Sequence, residues 1–317
     1  MEMRYKTYSE FLKEKYGERI YKLPVNLPIT CPNRDGNCSY GGCIFCGEIG
    51  AAFENLPPTM PVAQQIKENM EFIGKKYKAK KYIAYFQNFT NTYMPLDVFK
   101  RNILDALCDN IVGVSISTRP DCIREEYMQF LKEISQQYSV DITIELGLQT
   151  VNYKTLKKIN RGHTLAEFID AVSVIHKYGF SVCSHLILNL PWDDYEDVIE
   201  CAKILSALKV EQVKLHSLYI VKNTPMAEMY LNNEFNMGDY MDYVERVILF
   251  LEYLSSETVI QRVIGRAKEE HTVFANYGTS WWKIKDTIDE EMEKRNTYQG
   301  RLCNYLNGRA LSKFFEE

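Results

Sequence analysis

"VDITIELGLQ" (140–149) is the stretch whose reading decides the fold. It is a near-continuous apolar run, yet it carries Glu145 and ends on Gln149. A short apolar run rich in β-branched residues suits a strand covered on both faces. Residues 145 and 149 are four apart and so share one face of such a strand. If that face is inward, both side chains reach whatever the sheet encloses. Working outward, comparable runs occupy 81–89 (KYIAYFQNF), 111–118 (IVGVSIST), 180–191 (FSVCSHLILNLP) and 210–221 (VEQVKLHSLYIV), with a first strand near 19–27. Between them, helical spacing covers 95–107, 123–137, 153–179 and 194–208, with Pro95 placed for a first turn.

Apolar strands alternating with amphipathic helices imply a parallel sheet with helices outside it. Six such β/α units predict an α/β fold over residues 1–221, a sheet that curls into a full or partial TIM-type (β/α)6 barrel. Its chemistry belongs at the C-terminal ends of the strands. Polar residues collect there: a cysteine loop after the first strand, Gln87 to Asn91 after the second, Ser117 to Asp121 after the third, then Gln149, Asn189 and His216 to Lys222. From about 222 the rhythm changes. A helix over 237–254, a strand over 258–265 and a charged helix over 281–295 read as a C-terminal α/β extension, 222–317, packed on the barrel.

Composition narrows the function. Hydrophobic content of 46% with 25% charge fits a globular chain, and no apolar run is long enough to span a membrane. The charged, aromatic N-terminus lacks the apolar core of a secretory signal, so a cytoplasmic setting is expected. A formal net charge of −4 gives no basic surface overall, which tilts the expectation towards a small-molecule substrate. Four of the nine cysteines crowd into "CPNRDGNCSYGGCIFCG" (31–47). In a reducing compartment such clustering points to metal or catalysis rather than disulfides. A four-cysteine zinc site would need irregular spacing through Cys38, since there is a single CxxC and no nearby histidine. Three thiolates would instead leave one iron of a [4Fe–4S] cluster open to a small molecule.

Here the chain resembles the radical S-adenosylmethionine enzymes, and within them the YhcC/YtqA-type branch related to the elongator catalytic subunit. The residues that carry the resemblance are "TCPNRDG" with "GGCIFC", "YFQNFTNTY" (85–93), "GVSISTRPDC" (113–122), "IELGLQT" (144–150), "INRGHT" (159–164), "CSHLILNLP" (183–191) and "KLHSLYIVKNTPM" (214–226), in order along nearly the whole chain. The resemblance implies a [4Fe–4S] cluster on Cys31, Cys43 and Cys46, with Cys38 a bystander. It implies S-adenosylmethionine on the open iron and an electron donor such as flavodoxin or ferredoxin. Reductive cleavage would give a 5′-deoxyadenosyl radical that takes a hydrogen atom from the substrate. It places Phe45 near the adenine and Gln87, Thr90 and Asn91 near the methionine amino group. Ser117, Arg119 and Gln149 complete the expected cofactor contacts, Arg119 as a partner for a planar carboxylate.

Glu145, His185, Lys214 and His216 are the candidate catalytic residues. Lys214 shares a face with His216, and a buried lysine needs a partner, for which Glu145 is the candidate. Arg161 and His163 follow a short helix, and His163 reads equally well as a structural hydrogen-bond partner.

Two regions depart from the branch: "NLPWDD" (189–194), and the pair "IGRAKEE" (264–270) with "YGTSWWKIKDT" (277–287). They offer Trp192, Trp281 and Trp282 as stacking surfaces and Asp193, Asp194 or Glu269 as partners for a substrate ammonium or a guanine-like edge. The resemblance implies C–N cleavage of a modified nucleobase, and the acidic charge and these departures make queuine lyase, releasing preQ1 from free queuine, the first choice. Conversion of a carboxymethylaminomethyl wobble uridine in tRNA to the aminomethyl form is the alternative. A non-enzymatic zinc or redox-sensing protein is the alternative of another class.

Overall fold

The computed structural model describes residues 3–47, 55–265 and 269–314, without the side chain of Glu269. Seven parallel strands form one sheet: β1 (Ile20–Val25), β2 (Lys81–Phe86), β3 (Ile111–Thr118), β4 (Asp141–Gln149), β5 (Ser181–Ile187), β6 (Gln212–His216) and β8 (Val259–Arg262), hydrogen-bonded in that order. The sheet is curled into a partial barrel. Lys22 on edge strand β1 reaches Gln261 on the opposite edge strand β8, Nζ to Oε1 at 3.0 Å.

The alternation along β4 explains the curl. Ile142, Ile144, Leu146 and Leu148 are buried in the main apolar core that the helices complete. The intervening Glu145, Gly147 and Gln149 face the interior. The covering helices are α2 (Val62–Tyr77), α3 (Leu96–Asp105), α4 (Glu125–Tyr138), α6 (Leu165–Lys177) and α7 (Tyr195–Ala207). The predicted helix over 153–179 is two helices, α5 (Tyr153–Lys158) and α6. "NRGH" separates them, with Asn160 and Gly162 at positive φ. α1 (Tyr8–Tyr16) sits under the N-terminal ends of the strands, where Tyr8, Phe11 and Tyr16 meet Ile83 and Asp141.

Two expectations change. The run 210–221 is not one strand. β6 ends at His216, the Leu218 N–H turns to Asn189 Oδ1 at 2.7 Å, and β7 (Ile220–Val221) pairs antiparallel with β9 (Thr272–Phe274). The strand predicted near 258–265 is not confined to a peripheral extension. As β8 it pairs with β6, Lys214 opposite Arg262, and adds a seventh wall to the sheet. The remaining C-terminal elements are α8 (Pro225–Leu231), α9 (Tyr240–Tyr253) and α10 (Trp281–Lys294). Among the described residues, no helix is long and apolar enough to cross a membrane.

Candidate active site

The strand ends surround a cavity of about 320 Å³. One wall is the cysteine loop. Its backbone closes on itself through Arg34 N–H to the Cys31 carbonyl at 2.8 Å and Cys46 N–H to the Cys43 carbonyl at 2.9 Å. The "NRGH" turn pins it from outside. Asn160 Nδ2 donates to the Gly42 carbonyl at 2.8 Å, and the Ile44 N–H donates to the Ile159 carbonyl at 3.1 Å. Gly162 has φ +79°, and a Cβ there would lie 2.3 Å from Asn33 Oδ1, so glycine is required for this close approach. Cys31, Cys43 and Cys46 all line the cavity as free thiols. Cys38 is exposed and outside it, 3.7 Å from Asp121 Oδ2. Burial raises the Cys46 thiol, an effect that Arg34 partly offsets.

Three arginines stand at the three sulfurs. Arg34 Nη2 is 3.2 Å from Cys46 Sγ, Arg161 Nη1 is 3.4 Å from Cys43 Sγ, and Arg119 Nη1 is 4.0 Å from Cys31 Sγ. Arg161 crosses β4 by donating twice to the Gly147 carbonyl, at 2.6 and 3.2 Å. A Cβ at residue 147 would lie 2.6 Å from Arg161 Nη2, so Gly147 is what admits it. Arg119 differs from its expected role. Nε and Nη2 grip Asp121 at 2.8 and 2.6 Å, and Nη1 donates to the Arg161 carbonyl at 2.8 Å. Its fork is already matched to a carboxylate, so it is not free to clamp another.

At the opposite end Glu145 is fully enclosed. Its Oε1 accepts from Lys22 Nζ (2.5 Å) and Ser115 Oγ (2.7 Å), and its Oε2 from Lys214 Nζ (2.6 Å), His185 Nε2 (2.7 Å) and Tyr85 OH (3.0 Å). Burial alone would raise this carboxyl, but Lys214 and Lys22 outweigh it and hold it well below the usual carboxylate range. Two oxygens offer about four lone-pair sites. Five donors saturate them, so Glu145 is an ionised anchor rather than a proton donor. The Lys214–Glu145 pairing read from strand alternation is present. Burial, then Lys214, lower His185 to about 4, so its imidazole is neutral near pH 7. Burial and then Arg262 hold His216 well below its ordinary value. Arg262 Nη2 lies 2.8 Å from His216 Nδ1, while its Nε is buried without a partner.

Phe45, Gln87, Thr90, Ser117, Gln149, His185 and His216 all line the cavity. Asn91 does not. Its amide points into the loop after β2, donating to the carbonyls of Phe86, Asn88 and Ser117 at 3.1, 2.9 and 2.9 Å. His163 sits between the carbonyls of Gly147 and Thr164, in its structural role. The residues offered for base recognition lie elsewhere. Asp194 caps α7 in a capping box, Asp193 is buried off the cavity, and Trp192 packs edge-on against Phe235. Trp281 and Trp282 stack on each other, and Trp282 is 62% exposed. The Glu269 side chain and residues 266–268 lie outside the described residues. Lys22, Arg34, Tyr85, Phe89, Arg161, Tyr219 and Arg262 also line the cavity or hold its floor and were not among the expected site residues. Alternation could have found Lys22 and Tyr85. Arg34 and Arg161 lay within quoted motifs, but nothing in spacing aims them at sulfur.

Comparison with known proteins agrees with this geometry. The sequence model described as the Radical SAM superfamily matches residues 34–205, and the Radical_SAM C-terminal domain matches 210–294. The chain is 35% identical over 306 residues to the uncharacterized protein YtqA of Bacillus subtilis, covering 96% of this chain and 94% of that one. It is 31% identical over 258 residues to protein YhcC of Escherichia coli, covering 81% and 82%. It is 25% identical over 289 residues to the tRNA uridine(34) acetyltransferase of Methanocaldococcus jannaschii, covering 77% of this chain but only 51% of that relative's length. The fold matches the archaeal Methanocaldococcus infernus Elp3 lacking residues 1–46, with TM-score 0.68, 17% identity, and 88% and 64% of the two chains covered. The chain therefore belongs to the radical SAM superfamily, enzymes that use a [4Fe–4S] cluster and S-adenosylmethionine.

Proposed function

We propose that this radical SAM enzyme cleaves a C–N bond of a modified nucleobase, with free queuine, yielding preQ1, as its first candidate substrate. The observation that carries the reading is one cavity with a three-thiol wall at one end and a fixed, polar floor at the other. The donor set fits the cluster: three soft sulfur ligands, Cys31, Cys43 and Cys46, with cationic groups beside them and no imidazole among them. Bound there, the cluster and S-adenosylmethionine supply a 5′-deoxyadenosyl radical that abstracts hydrogen.

The chain's own residues do the rest. Gln87, Thr90 and Ser117 offer hydrogen bonds on the β2–β3 side, and Phe45 offers a flat apolar surface beside the cysteines. The neutral rings of His185 and His216 face the cavity from β5 and β6, and Arg262 from β8. A polar base edge and a diol would find donors and acceptors on this floor. Glu145, saturated, holds Lys22 and Lys214 in place and leaves proton movement to other groups. Phe89 and Tyr219 add aromatic surface to the cavity lining.

A small free base suits the modest cavity and the formal charge of −4. The run of lysines at 75, 76, 78, 80 and 81 lies at the N-terminal ends of the strands, away from the mouth. One observation favours the wobble uridine of tRNA instead: Tyr153, Lys154, Lys157 and Lys158 are exposed on α5, directly after β4 at the mouth. The test incubates the anaerobically reconstituted chain with S-adenosylmethionine, dithionite and either queuine or tRNA. Formation of preQ1 with 5′-deoxyadenosine supports the first reading. Turnover on tRNA alone reverses the order.

A further inference from the structure

We propose that Arg34 and Arg161, with Arg119 completing the ring, form a cationic collar that sets the reduction potential of the cluster. The inference rests on the reading of Cys31, Cys43 and Cys46 as cluster ligands given above. Each sulfur has one guanidinium, and the three come from separate parts of the chain: the cysteine loop, the end of β3 and the turn after α5. None is loosely placed. Arg119 and Arg161 are 1% and 8% exposed. Arg34 donates to the carbonyls of Cys46 and Gly47 and lies over the Phe89 ring, 5.1 Å from its centre.

A guanidinium does not deprotonate in a protein, so these charges persist at any working pH. Arg119 is balanced by Asp121 at 2.6 Å. Among the described residues, Arg34 and Arg161 pair with no carboxylate. Their polar contacts are carbonyl oxygens and sulfur. One-electron reduction adds a negative charge to a cluster already bound by three thiolates. Nearby fixed cations and N–H···S contacts stabilise the reduced form more than the oxidised one, and so raise the potential. Low dielectric around the two buried arginines strengthens the effect.

The test is an anaerobic redox titration of the reconstituted full chain without S-adenosylmethionine, followed by the electron paramagnetic resonance signal of the reduced cluster. R34Q and R161Q are each expected to lower the equilibrium constant for one-electron reduction about tenfold, about 59 mV. R34K, which keeps the charge, is expected to restore most of it. R34Q loaded with iron to the wild-type level but titrating at the wild-type potential, or above it, overturns the collar. Should the buried R161Q fail to hold a cluster, the comparison of R34Q with R34K on the half-buried loop decides alone. A wild-type chain that takes up no iron defeats the cluster reading itself and this inference with it. That outcome is distinct from an unchanged potential in a loaded variant.

Discussion

At the closed end of the cavity Glu145 meets five donors, and two of them, Lys22 and Lys214, carry the opposite charge at 2.5 and 2.6 Å. At the open end Arg34 and Arg161 face cysteine sulfur at 3.2 and 3.4 Å. The floor sets one carboxylate between two ammonium groups and so ties β1, β4, β5 and β6 together. Among the described residues, Arg34 and Arg161 of the collar meet carbonyl oxygen and sulfur rather than carboxylate, and cluster thiolates would set negative charge beside them. Charge paired with charge ties the strands together; charge set against sulfur marks the chemistry.

Breaking the floor should cost most. Glu145→Gln removes the one anion from two buried lysines, and loss of one partner from a buried ion group typically costs about 3–5 kcal/mol. Urea unfolding should show the unfolding free energy lowered by that amount, with the midpoint shifted down by the loss divided by the m-value. An unchanged midpoint would mean the floor is wetter and looser than its distances imply. The pH sign follows from the carboxyl's lowered position. Its stabilisation is present above the ordinary glutamate range and is lost as pH falls through that range and below.

Asp193 has the opposite sign. Burial raises it from 3.8 to about 6. Between those values the folded chain keeps a proton that the unfolded chain has released, so stability falls as pH rises through that window. Asp193→Asn, which cannot titrate, should stabilise the protein above pH 6 by about 2–3 kcal/mol and change nothing near pH 3. Equal melting shifts at both pH values would contradict this. A smaller loss, about 1 kcal/mol, is expected for Asp194→Ala, which removes the α7 cap. That variant should leave turnover intact, because Asp194 lies outside the cavity.

Much of this was readable in the chain. Apolar runs located the strands to within a few residues because each is buried on one face by helices and half-buried on the other. Glu145 and Lys214 were placed by alternation, since period two assigns a residue to a face, and His185 by its position on the fifth strand. What alternation cannot supply is where on the barrel's circumference that face points. Lys22, on one edge strand, was within reach of alternation and was passed over; Arg262, on the other, was missed because its strand was read as part of an extension. Trp192, Trp281 and Trp282 show a related limit: size and flatness suit ring contacts anywhere, and here Trp192 meets Phe235 edge-on while Trp281 and Trp282 stack on each other. The arginine–sulfur contacts of Arg161 and Arg119 span 118 and 88 residues, and no local period encodes a meeting of two loops.

The most direct test of the account is metal and sulfide content of oxygen-free reconstituted protein, comparing wild type with Cys43→Ala and Cys38→Ala. The expectation is about four irons and four sulfides per chain in wild type and in Cys38→Ala, with loss of the cluster and of 5′-deoxyadenosine formation in Cys43→Ala. A single zinc per chain, or full iron content and turnover in Cys43→Ala, would contradict it.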